Sequence, residues 1–174
     1  MPGHARRSAE ILQAAEEAAR SARTVHEALD RLASLLSPDF ALSRVSLRTL
    51  DAAEARLVVQ AAWSARPTSV GPGVTLPLAS TSFADVERAG RSIRSSWEAT
   101  SEVPPLLDRV IHEEGNRAWV LVPLRRSGTI VAILSFSSAA ENAFTDDDLS
   151  FFDALGASVE DPVLALAGLP ADRN

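Results

Sequence analysis

The most constraining feature of the chain is a pair of apolar runs in its last third, Trp119 to Arg126 and Thr129 to Ser138, joined by Ser127-Gly128. Both are rich in valine, isoleucine and leucine, side chains that suit the pleated, part-buried surface of a strand. Two such runs separated by Ser-Gly are the signature of a tight β-hairpin. With a two-residue loop, Arg126 faces Thr129, and the register runs outward from that pair. One face then holds Leu124 with Val131, Val122 with Ile133, and Val120 with Ser135. The other holds Pro123 with Ala132, Leu121 with Leu134, and Trp119 with Phe136. Both faces are apolar, whereas a sheet open to water on one side alternates apolar with polar. The hairpin therefore demands a cover on each side.

Flanking segments offer two unlike covers. Phe144-Thr-Asp-Asp-Asp-Leu149 sets Thr145 as an N-cap with Asp148 three residues on, and Phe144 stapled to Leu149. The helix that follows, 146–168, carries the stripe Leu149, Phe152, Gly156, Val159, Val163 and Leu166, with a kink expected at Pro162. At the other end, residues 5–22 are helix formers, and Thr24 with Glu27 caps a second helix predicted to stop at Ser37, before Pro38. One heptad-like stripe runs through both segments: Ile11, Ala15, Ala18, Ala22, Val25, Leu29, Leu32, Leu36. The alanine half needs a partner, either within the chain or from a second copy. A homodimer is expected, with Leu32, Leu149, Phe152 and Val159 at its interface.

Between these ends, strands are predicted at 41–50 and 55–63 around the turn Asp51–Glu54, with a Gly-Pro-Gly loop over 64–78. Ser82 opens a short helix that Gly90 ends, and 92–96 is a short strand. Pro104-Pro105 opens another helix closed by Gly115. The length suits one compact domain, read as an N-terminal helix over 1–23, a domain over 24–169 and a tail over 170–174. The long helices cover one sheet face. The short helices and the loop cover the other, and a cleft is expected there.

Charge and composition limit the chemistry. A net charge of −6 without a basic cluster argues against nucleic-acid binding. The chain has no cysteine, which removes disulfides, thiol catalysis and cysteine-ligated metals. All 17 basic residues are arginine, which removes Schiff-base chemistry and fits the codon bias of a GC-rich genome. No apolar run approaches the roughly 20 residues that span a bilayer, and no signal-peptide core is present, so a cytoplasmic location is expected. His112-Glu113-Glu114 reads as a charged helix end, and Asp146-Asp147-Asp148 as acids at a helix start rather than a cation site. His4 and His26 form no ligand set, and no nucleophile or acid–base pair assembles. The expectation is a protein that is not an enzyme.

Val122-Pro123-Leu124, Ser127-Gly128, Ile130 to Phe136 and Phe144-Thr-Asp-Asp-Asp148-Leu149 together resemble the closing half of a GAF domain. The two N-terminal helices, the strand pair, Leu76-Pro-Leu and the short helix to Gly90 resemble the rest. The resemblance implies an α+β fold, a central antiparallel sheet of five or six strands between a layer of N- and C-terminal helices and a layer of short helices and loops. A PAS-like domain, the alternative fold, shares the sheet but would not require both an N-terminal helix pair and the capped C-terminal helix in this order. The resemblance also implies a bacterial-type sensory or regulatory module. Members bind cyclic nucleotides, tetrapyrroles, small anions or amino acids, and others serve only to dimerise. Ser137-Ser138 stands where the cyclic-nucleotide subset has Asn-Lys. The missing cysteines disfavour covalently attached tetrapyrroles and exclude the methionine-sulfoxide-reducing activity. An unidentified small molecule is expected in a cleft lined by Phe83, Ser96, Trp97, Leu107, Ile111, Val120 and Ser135, with no cofactor assignable. The terminal helices would signal to an output domain elsewhere. The alternative is a ligand-free interaction module whose cleft is filled by its own tryptophans.

Overall fold

The computed structural model of the chain describes residues 2–97 and 105–171, with side chains from Arg7 onward. Pro104, the side chain of His4 and the end of the expected tail lie outside the described residues. In chain order the elements are α1 (Pro2–Ser21), α2 (Val25–Phe40), β1 (Leu42–Asp51), β2 (Arg56–Ser64), β3 (Thr75–Pro77) and α3 (Phe83–Ala89). There follow β4 (Ile93–Ser96), α4 (Leu106–Glu113), β5 (Ala118–Arg126), β6 (Thr129–Ser138) and α5 (Leu149–Leu166). The strands form one six-stranded antiparallel sheet in the order β3-β2-β1-β6-β5-β4.

The β5–β6 hairpin turns through Ser127 (φ 48°) and Gly128 (φ 79°), both left-handed as a two-residue primed turn requires. Arg126 faces Thr129 as expected, but a bulge intervenes between Leu124 and Arg125, and Leu124 pairs with Ala132 rather than Val131. Beyond it every expected partner is displaced by one residue. Val122 faces Leu134, Val120 faces Phe136 and Leu121 faces Ser135. A one-residue slip moves side chains to the opposite face. One face thus becomes wholly apolar, with Val120, Val122, Leu124, Ala132, Leu134 and Phe136 in the main core. The other mixes Trp119, Leu121 and Ile133 with Ser135 and Ser137.

α1, α2 and α5 cover the apolar face. α1 lies along α5 and α2, and buries Ala15 and Ala19. The alanine stripe finds its partner inside the chain. Leu32, Phe152 and Val159 are fully buried in this core and Leu149 nearly so, which corrects their assignment to a dimer interface. The heptad-like stripe is satisfied by the chain's own sheet, and any second copy would have to use other residues.

Helix α2 also runs one turn further than expected, through Pro38 to Phe40. Pro38 forfeits the one hydrogen bond an N–H there would give the Ser34 carbonyl, and Ala41, left-handed at φ 48°, closes the helix by donating to the Ser37 carbonyl at 2.9 Å. The added turn places Phe40 with its ring centroid 5.6 Å from Phe144, 5.9 Å from Phe151 and 5.0 Å from Phe152. The expected capping box precedes α5, where the Thr145 N–H donates to Asp148 Oδ2 at 2.7 Å. A single 3₁₀ turn, Asp146–Asp148, leads into the helix, which continues through Pro162.

At Gly156 α5 approaches β5 so closely that a Cβ would sit 2.6 Å from Val122 Cγ1. Val122 is buried and β-branched, and has little freedom to move aside. Gly156→Ala gains helix propensity but overpacks the core, for a net loss of about 1–2 kcal/mol in urea unfolding. Combining it with Val122→Ala should cost less than the sum of the two single changes. A Gly156→Ala variant as stable as the parent would show that the contact is not tight.

Candidate functional site

The opposite face of the sheet carries polar groups at its centre. Within β1, Val45 and Leu47 enter the helical core, and the alternate residues Arg44, Ser46 and Arg48 point the other way. β6 places Ser137 beside Arg44 and Ser135 beside Ser46, and β5 places Trp119 and Leu121 beside those serines. Leu107, Asp108 and Ile111 from α4, with Val70 from the loop after β2, close over this row. The cleft between them, its open mouth included, holds about 330 Å³ of space.

Two guanidinium groups are buried here, Arg44 and Arg48 being 2% and 5% exposed. Arg44 is held from outside the cavity. Its Nη2 donates to the Val70 carbonyl at 2.7 Å and its Nη1 to Thr68 Oγ1 at 2.8 Å. Thr68 Oγ1 donates in turn to Glu114 Oε2 at 2.8 Å, and Glu114 Oε1 accepts from the Ser69 N–H at 2.6 Å. Burial lowers the Arg44 pKa, and the charge of Glu114 opposes that effect.

Arg48 is less well provided for. Burial pulls its pKa down to about 10, Arg44 pushes the same way and Asp108 opposes them, so the group stays cationic at neutral pH. Among the described residues its Nε–H is buried without an acceptor, as is the Nε1–H of Trp119. Asp108 acts on Arg48 through space, its carboxylate accepting from Ser82 Oγ at 3.1 Å. Burial raises the Asp108 pKa, against the Ser82 hydrogen bond and the charge of Arg48, and Asp85 pushes it further up.

The GAF domain family model matches residues 22–161. The chain belongs to the GAF domain family. Among solved structures it is similar to a free methionine-R-sulfoxide reductase from Neisseria meningitidis in complex with its substrate. There the TM-score is 0.70 at 17% identity, covering 92% of this chain and 90% of that one. The GAF domain of an Acinetobacter phosphoenolpyruvate-protein phosphotransferase gives a TM-score of 0.69 at 17% identity, covering 93% and 96%. The chromophore-binding domain of a bacteriophytochrome from R. palustris gives 0.67 at 10% identity, covering 92% of this chain and 60% of that one. Comparison with curated protein sequences gives no match. At these identities the likeness carries the fold, that of a family of sensory and regulatory modules.

Of the lining residues expected from the sequence, Leu107, Ile111 and Ser135 meet in this GAF domain's cavity. Val120 does not, because the hairpin bulge turns it into the helical core. Phe83 is buried under α3 with Leu57, Trp119 and Leu121, and Ser96 lies on β4 opposite Ala118. Trp97 stacks on His112 outside the cavity, ring centroids 3.8 Å apart. His112 Nε2 lies 2.7 Å from Arg117 Nη1, while Glu114 holds the loop, so the charged helix end divides its contacts between two neighbours. Asp146, at the start of the acidic run, pairs with Arg94 Nε at 2.8 Å.

Arg44, Arg48, Asp108 and Trp119 were missed as lining residues. A signal existed for the arginines: they share one side of a predicted strand whose other side is Val45 and Leu47. What the sequence lacked was the neighbour. β1 pairs with β6, far along the chain, and that pairing carries its polar side under the second cover.

Glu114 ties α4 to the loop that closes the cavity. Burial would raise its pKa, but hydrogen bonds from Ser69 and Thr68 and the charge of Arg44 outweigh this and lower it. A depressed folded-state pKa stabilises the fold above the usual carboxylate value, and that contribution fades as pH falls through the folded value. Glu114→Gln should cost about 1–2 kcal/mol at pH 7 in thermal or urea unfolding, with the difference shrinking below about pH 4. A pH-independent difference would show that the carboxylate's charge is not what matters.

Proposed function

We propose that this GAF domain is a sensory module that takes a small molecule between the sheet and α4 and passes its occupancy to the terminal helices. The observation that carries this is a polar cavity, lined by Arg48 and Trp119, whose buried Nε–H and Nε1–H lack acceptors among the described residues. Buried donors are almost always paired in folded proteins, so such a pair in one cavity favours a missing partner. The cavity strands continue into the contacts of α5. The Arg125 N–H donates to Glu160 at 2.6 Å, Arg126 pairs with Asp161 at 2.9 Å, and the Ser92 N–H before β4 donates to Asp153 at 2.7 Å. A shift of β5 on ligand entry would reach α5 through these ties, and α1 through its packing on α5. The chain has no cysteine, so the reductase activity of its structural relative forms no part of this reading.

The second reading, an interaction module without a ligand, draws on the small free space and on Trp119 as a cavity wall. Calorimetry and thermal melts across nucleotides, amino acids, anions and haem separate the two. A ligand at about 100 times its Kd should raise the melting temperature by about 5–10 °C. Absence of binding from every class, with the protein folded, would overturn the sensory reading.

A further inference from the structure

Resting on that reading, we infer that the ligand is a compact oxyanion or short-chain carboxylate, seated with its oxygens between Arg48 and Trp119. The two buried, unpartnered groups of this cavity are both donors, so the complement is a molecule with acceptor oxygens. Ser135 and Ser137, on the same strand row, add hydroxyls that can donate to the same oxygens. One water could fill a donor's valence, but would leave a buried cation without a counter-charge in contact. Asp108 does not supply that contact: its carboxylate accepts from Ser82 Oγ instead. Arg44 adds a second positive charge nearby while its own hydrogen bonds are occupied by Thr68 and Val70. A planar oxyanion suits the fork of a guanidinium, which is the recurrent reason for arginine at carboxylate and oxyanion sites.

Size follows from the space. The cleft between the sheet and α4 is narrow, which suits an ion of a few heavy atoms better than a nucleotide or a tetrapyrrole. Leu107, Ile111 and Val70 form an apolar wall, suited to the methyl or ethyl body of a short acid.

The test is isothermal calorimetry on the full chain with sodium nitrate, phosphate, formate, acetate and propionate. Chloride serves as the control at fixed ionic strength, and a panel of neutral metabolites runs beside them. Saturable binding of at least one oxyanion is expected. Binding should be at least about tenfold weaker in Arg48→Gln, the loss of one charge-assisted hydrogen bond. It should also be weaker in Trp119→Phe, which keeps the ring and removes the N–H. Asp108→Asn removes the competing carboxylate and should tighten binding, a gain that a merely unfolded variant cannot mimic. Preference for acetate or propionate over nitrate identifies an organic acid, and the reverse identifies an inorganic ion. Anion binding that is unchanged in both Arg48→Gln and Trp119→Phe would overturn the site. Binding of neutral compounds with none of the anions would overturn the ligand class but leave the sensory reading standing. Failure of both panels would remove both.

Discussion

Everything in this fold depends on the β5–β6 hairpin having two faces that water cannot be allowed to reach. The face bearing Val120, Val122, Leu134 and Phe136 has no polar group to offer, so only an apolar layer can cover it. The three long helices supply that layer, with α5 close enough at Gly156 to touch the sheet through Val122. This side is packed to a solid. The terminal helices thereby share one core with the sheet.

The second face is covered differently because its residues differ. Arg44, Ser46 and Arg48 occupy the central strand β1, and charged groups under cover require counter-charges and hydrogen bonds. The short α4 and the loop at 68–70 meet that demand for Arg44, through Val70, Thr68 and Glu114. They do not meet it for Arg48. A central strand with a cation left short of acceptors is costly, and proteins retain such groups where function uses them. One face of the sheet is thus closed by apolar packing and the other by charge and hydrogen bonds.

Much of the fold was legible because it is written in local patterns. The Ser127-Gly128 turn, the Thr145–Asp148 capping box and the stops at Gly90 and Gly115 each involve residues within four of one another. What went astray depended on distance or on a single inserted residue. The bulge near the hairpin turn reassigned Val120 and Ser135 to different faces, and no composition signal marks it. Pro38 sits within α2 because Phe40 has a cluster of phenylalanines to reach, and those lie more than 100 residues away.

The sequence by itself therefore determined the element types, the need for two covers and the family, since these follow from periodicity, turn chemistry and capping. Tertiary structure alone decided what each side chain faces. It turned the two stripes, one with Leu32 and the other with Phe152 and Val159, inward onto the sheet instead of outward to a second copy. It also laid β1 against β6, so that two arginines of an unremarkable strand became buried cations beside Ser135, Ser137 and Trp119. The physical reason is that burial is a property of a neighbour. Two residues four apart on a strand become a site only when a distant strand and helix exclude the water around them.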